Sequence, residues 1–207
     1  THHFLIAMPS LEDEAFAKSV VYVCEHSERG ALGLVINKPS DLSMTGLFEK
    51  VELPLHRQDL VSAPVLQGGP VHTERGFVLH DAMVLDVPEQ EAEALNAVSG
   101  KEAKTESVYA STMTIPGGLE MTTSKDVLEA VALGNGPRNF LMTLGYAGWG
   151  AGQLEEEITL NGWMNVPLSR EQMMEIIFNT PSSQRYEKTM SHLGFDLSSL
   201  SGEAGHA

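Results

Sequence analysis

The sequence predicts a single α/β (α+β) domain over residues 1–197, and three observations carry that prediction. Strand-length apolar runs crowd the first forty residues, at Phe4–Met8, Val20–Cys24 and Leu32–Asn37. Helix-start spacings recur later, at Thr123 with Asp126, Ser169 with Gln172 and Thr180-Pro181. No Pro/Gly/Ser-rich linker divides the two regions. Residues 198–207 are small and polar and read as a loosely held tail.

In chain order, Val20-Val21-Tyr22-Val23-Cys24 is apolar without alternation, which fits a central strand covered on both faces. Glu25–Gly30 is polar and ends in glycine, so a loop of about five or six residues is expected to join the second and third strands as a hairpin. Pro39 stops the third strand, because proline donates no ladder hydrogen bond and restricts the residue before it. Leu47, Phe48 and Val51 give Met44–Val51 a helical face, whereas Leu53–Ala63 carries no clear pattern. Val65–Gln67 and Phe77–Leu79 read as short strands, and Asp81–Thr105 is acidic, weakly patterned and expected at the periphery.

Val108–Ile115 alternates as a half-buried strand does, and Pro116-Gly117-Gly118 turns it into Leu119–Thr122. A helix capped by Thr123 and Asp126 carries Val127, Leu128 and Val131 on one face and ends at Gly134. Phe140–Tyr146 is an apolar strand that leads into Gly145-Tyr-Ala-Gly-Trp-Gly-Ala-Gly152. A helix holding Leu154 and Ile158 follows and closes at Asn161-Gly162. Two further helices start at Ser169 and Pro181, the last burying Tyr186, Met190 and Leu193.

Composition narrows the function classes. Of 207 residues, 42% are hydrophobic and 20% charged, as in an ordinary globular protein. No apolar run reaches the roughly 18 residues that span a bilayer, and no basic-then-apolar leader opens the chain. A non-membrane, unexported, cytoplasmic protein is the expectation. The single cysteine, Cys24, rules out an internal disulfide and an all-cysteine metal site. A formal net charge of −15, with its Lys and Arg residues scattered singly, argues against direct nucleic-acid binding.

The glycine-rich stretch invites a phosphate-loop reading. Gly145 and Gly150 have the right spacing, but Ala151 and Gly152 stand where Lys and Ser/Thr are needed. Glu155, Glu156 and Glu157 would also repel a phosphate there. Tyr146, Trp149 and Trp163 suggest an aromatic pocket with Gln153 as polar handle; the alternative is that the rings are core. Trp149, flanked by glycines, is expected to be partly exposed and suited to recognition. Lys38 and Arg75 are candidate anion binders or plain solvated cations. Cys24 and His26, two apart, form a nominal nucleophile pair or an inert core thiol with a neighbour. No zinc, calcium or hydrolase signature is present, so neither a metal nor a cofactor is implied.

Taken together, His3-Phe-Leu-Ile-Ala-Met-Pro9, Ser19-Val-Val-Tyr-Val23, Gly33-Leu-Val-Ile-Asn-Lys-Pro39, Gly68-Gly-Pro-Val71, Gly76-Phe-Val-Leu-His80, Thr122-Thr-Ser-Lys-Asp126 and Gly145–Glu155 resemble the YqgE/AlgH family of bacterial proteins. The resemblance runs from residue 2 almost to the C-terminus. It implies a bifurcated mixed sheet folded into a partial barrel and surrounded by helices. The family's label, transcriptional regulator, comes with no recognised DNA-binding motif and no catalytic residues to transfer, so an indirect regulatory effect is implied.

The first expectation is a non-enzymatic binding or regulatory module with an unidentified protein or small-molecule partner; a homo-oligomer is compatible with it. Its candidate surface joins Asn37, Lys38 and Pro39, then Gly68, Gly69, Pro70 and Arg75, then Gly148, Trp149, Gly150 and Gln153. The alternative is a small-molecule enzyme in which at least two of His26, Lys38 and Glu155 converge in a concave site beside the aromatic pocket. Direct nucleic-acid binding is the third reading.

Overall fold

The computed structural model describes residues 2–8, 11, 13, 15–82 and 107–193. The expectations for the acidic stretch 83–105 and for the tail 198–207 lie outside the described residues. Among the described residues ten strands make one curled sheet: β1 His2–Ala7, β2 Val20–Ser27, β3 Gly30–Val35, β4 Pro39–Ser43, β5 Pro64–Gln67, β6 Val71–Asp81, β7 Thr112–Ile115, β8 Leu119–Thr122, β9 Phe140–Gly150 and β10 Trp163–Leu168. Helices pack on its faces: α1 Met44–Lys50, α2 Gln58–Val61, α3 Asp126–Ala132, α4 Gln153–Thr159, α5 Arg170–Met174 and α6 Arg185–Ser191. Between α5 and α6 lie a π-helical turn, Glu175–Asn179, and a 3-10 turn, Ser182–Gln184.

The sheet runs β10-β1-β2-β3-β9-β6-β8-β7 and divides at β9. The first half of β9 lies between β6, antiparallel, and β5, parallel, while Ala147–Gly150 pairs with β3. β5 carries β4 on its other edge. This is the bifurcated, mixed, half-barrel sheet that the family resemblance implies, and the protein is α+β.

The unbroken apolar run of β2 explains its central place. Val20 and Tyr22 join one apolar cluster, with Phe4, Leu34 and the Ile176–Ile177 pair, while Val21 joins a second on the opposite face, with Leu5, Trp149 and Trp163. Side chains alternate across a strand, so a strand apolar at every position is stable only with cover on both faces. A third cluster seats Phe48 of α1 and Val127 and Val131 of α3 against Val65, Val78 and Met142. The Ser169 capping box at the start of α5 forms as expected, with Ser169 Oγ accepting from Gln172 N and Gln172 Oε1 from Ser169 N.

Four local expectations need correction. The β2–β3 turn is two residues, Glu28-Arg29, because backbone pairing continues through the polar Glu25–Ser27 to Ser27 opposite Gly30. β6 begins at Val71, well before the apolar Phe77, since its exposed stretch 72–75 bulges out between two β9 contacts. β7 starts at Thr112, not Val108; Ser111 takes φ +50° and Ala110 N donates to Asp126 Oδ2 at 2.7 Å. α3 starts at Asp126 with Lys125 at its N-cap, and Thr123 N and Oγ1 both donate to Ser111 O, so the Thr123–Asp126 capping box does not form. The unpatterned Leu53–Ala63 contains α2.

Candidate functional site

The three sequence-predicted segments meet, but as backbone. Gln67 N donates to Lys38 O, Val35 N to Gly68 O and Gly68 N to Leu144 O, each at 2.8 Å. Gly69, at φ +151°, lies against the backbone of Tyr146 and Ala147, and Gly145, at φ +71°, against the carbonyl of Gly69. A Cβ at either position would land inside that backbone. These glycines therefore serve close approach between β9 and the β5–β6 connection.

The side chains around this seam are committed to structure. Asn37 accepts from Val20 N and donates to Lys18 O, both at 2.8 Å. Lys38 Nζ donates to Ala15 O at 2.6 Å; desolvation holds its pKa below the usual lysine range, with Asp13 opposing. Pro39 and Pro70 are exposed, and so is Arg75, on the bulged stretch of β6. Gln153 accepts from Gly150 N at 3.0 Å and donates to Glu157 at 2.9 Å, fastening α4 to the end of β9.

Trp149 is 6% exposed, which overturns the expectation of a partly exposed ring. The residues to its N-terminal side are strand, so the side chain alternates inward and neighbouring glycines leave it covered by other elements. It packs on Trp163 at 5.7 Å and Phe16 at 6.4 Å between ring centroids. Glu157 Oε2 accepts from both indoles, at 2.9 Å from Trp149 and 2.7 Å from Trp163. Tyr146, an odd number of residues away, falls on the other face of β9 and packs on Phe77. The expected three-ring pocket is thereby split.

Cys24 is 4% exposed, and burial pushes its thiol well above the usual range, so it stays protonated. A β-bulge between Val23 and Glu25 breaks the alternation that would align it with His26. His26 turns instead to Glu155, Nε2 to Oε1 2.6 Å, with the two side chains 46% and 55% exposed. Two of the three proposed acid–base groups thus converge, but in solvent. Lys38 is bound elsewhere, and neither His26 nor Glu155 lines the groove described next. Among the described residues no group of three or more His, Cys, Asp or Glu could hold a metal ion.

Two concavities bear on these segments and on the neighbouring cations. A shallow groove of about 390 Å³ is bordered by Glu25, Arg29, Val71, Tyr146, Gly148 and Trp149. A larger cleft, about 580 Å³, lies between the 57–66 segment, the start of β9 and the 177–185 segment. Its polar lining among the described residues is Arg57, Asp59, Arg138 and Arg185, with Ser, Thr and Asn side chains, and the half-buried Phe140 and Phe178 give it an apolar part. Arg57 chelates Asp59 and donates to Pro137 O and Arg138 O. Sequence reasoning missed this cleft. The usable signal was Arg185, a cation within a helix that otherwise reads as amphipathic.

Residues 4–198 match the AlgH-like family model. The chain is 61% identical, over all of its length and 95% of theirs, to the UPF0301 proteins of Paracidovorax citrulli and of a Polaromonas species. It is 40% identical to the AlgH protein of Pseudomonas aeruginosa, whose solution structure superposes with a TM-score of 0.69 over 100% of this chain and 95% of that one. A Corynebacterium diphtheriae protein known from crystallography shares the fold at 20% identity, with a TM-score of 0.64 over 97% of this chain and 91% of that one.

Proposed function

This chain belongs to the AlgH-like family, and from that premise we propose that it is a non-enzymatic, cytoplasmic ligand-binding module with an indirect regulatory role, its ligand seated in the 580 Å³ cleft. The observation that supports this reading is concavity without a catalytic set. The volume falls within the roughly 300–1,000 Å³ of small-molecule sites, and an apolar surface with a few polar groups is their usual lining. Among the described residues no His, Cys, Lys or Glu lines the cleft, and the carboxylate of Asp59 is held by Arg57 with its pKa lowered by that hydrogen bond. Its hydroxyls have no base to activate them. The −15 net charge favours a regulatory effect passed on through a protein rather than nucleic acid. For location, no helix among the described residues is long and apolar enough to cross a membrane, and the lone cysteine suits a reducing compartment.

The test is a fragment screen by two-dimensional ¹⁵N NMR, reading the amides of Leu60, Asn139 and Phe178. Saturable shifts at those amides are expected, with the fragments recovered chemically unchanged. Silence at the cleft across the set would reject the reading, and conversion of a fragment there would replace it with an enzyme.

A second reading keeps the expected strand-end surface as a protein-docking face, because Gly148 and Trp149 border the shallower groove beside Tyr146 and Arg29. A partner mapped to that groove is expected to bind about thirtyfold more weakly, or worse, to Tyr146→Ala or Arg29→Glu in the folded protein, since anchor residues cost about 2 kcal/mol or more. Unchanged affinity in both variants would remove this face.

A further inference from the structure

Arg185 is the anomaly of the larger cleft. It is 8% exposed, yet no carboxylate pairs with it among the described residues. Its Nε donates to Thr180 O at 2.9 Å and its Nη1 to Ile36 O, so two carbonyl dipoles hold the fork in place. Burial pulls its pKa down to about 10, which leaves it charged at neutral pH. A buried cation without a counter-charge is a strongly unfavourable arrangement unless something else supplies the charge. Nη2 makes no hydrogen bond to the described residues and is not sealed from solvent, and the residue lines the cleft.

The rest of the cleft has the same bias. Arg138 is exposed and has no acceptor among the described residues. Among the described residues, three guanidinium groups and one carboxylate, Asp59, therefore line the cleft of a protein whose overall charge is −15. Asn139, Asn179 and Ser182 add neutral donors around them. The wall that carries Arg185 follows the π-helical turn Glu175–Asn179, a distortion that recurs at functional sites. It is held by Thr180 Oγ1 donating to Glu175 O at 2.9 Å.

We infer that the cleft takes a small molecule bearing an oxyanion head, a carboxylate or a phosphate monoester, that supplies the missing counter-charge to Arg185 and Arg138. Its apolar body lies against the partly exposed rings of Phe140 and Phe178. A planar guanidinium whose other nitrogens are already fixed meets an oxyanion at little further loss of rotamer freedom, and charge-assisted bonds of this kind are the strong ones. The inference rests on the binding-module reading and adds the ligand's chemistry to it.

Phenyl phosphate, benzoate and neutral benzyl alcohol are the probes, titrated to millimolar concentration into the full chain and followed at the Leu60 and Asn139 amides and at Arg185 Nε. Either anion or both are expected to saturate, and the tighter names the head group. Arg138→Gln, at an exposed position that should not disturb folding, is expected to weaken the anion about tenfold or more. Arg185→Lys, which keeps the charge and loses the fork, should weaken it as well, whereas Arg29→Gln, outside the cleft, should not.

Benzyl alcohol binding as tightly as the anions, or Arg138→Gln without effect, would overturn the oxyanion assignment while the binding module stands. Silence from both anions would also overturn it. The module itself falls only if benzyl alcohol and the fragment set are silent too.

Discussion

Gly69→Ala is expected to cost about 4 kcal/mol or more of stability, in the range reserved for a few named mechanisms. A domain of this kind holds only about 5–15 kcal/mol in total, so little folded protein would remain under mild stress. The added Cβ would meet the backbone of Tyr146 and Ala147, and backbone in a sheet cannot rotate aside as a side chain can. The site also holds φ at +151°, which residues with a Cβ rarely adopt. Gly134→Ala is the control: its φ is +81°, but a Cβ there has nothing within 4 Å. That variant should lose only about 1–2 kcal/mol, the left-handed strain alone. Urea denaturation followed by circular dichroism separates the two, and equal losses would show that steric contact at the seam is unimportant.

Trp149→Ala is expected to cost about 3–5 kcal/mol, as large-to-small changes in a packed core do. The variant empties the space between Phe16 and Trp163 and takes one of the two indole donors from Glu157. Trp149→Phe keeps most of the packing and loses one bond to the half-buried Glu157, which still accepts from Trp163 and Gln153, so only about 1 kcal/mol is expected. Trp149 and Trp163 are the two tryptophans, so native emission should be blue-shifted and lengthen in wavelength on unfolding. A Trp149→Ala protein of unchanged stability would return this residue to the surface.

What was legible in advance was local. Apolar continuity placed β2 at the centre because a strand covered on both faces needs no alternation. Ser169 with Gln172 gave a capping box, and Pro116-Gly117-Gly118 a hairpin, because both are set by hydrogen bonds and backbone angles within a few residues. Thr123 with Asp126 has comparable spacing and failed, because Thr123 donates to Ser111 O, twelve residues away, and the helix starts only at Asp126. Family motifs added the divided sheet, which no periodicity in this chain would have shown.

The sequence by itself determined most of the strands and helices, though not β4, β10 or α2, together with the two-sided cover of β2 and the family, since each follows from short-range pattern or ordered motifs. Tertiary structure alone decided what the distinctive residues do. The glycines of β9 and of the β5–β6 connection proved to be one seam of close backbone contact, and whether a glycine faces a ligand or another strand is written in no local spacing. Trp149 was turned inward by strand alternation and closed over by Phe16 and Trp163. Arg57, Arg138 and Arg185 come from three distant segments, so only the curl of the sheet brings them to one cleft. Burial, a property of the whole fold, is what makes the charge of Arg185 costly, since no carboxylate among the described residues pairs with it.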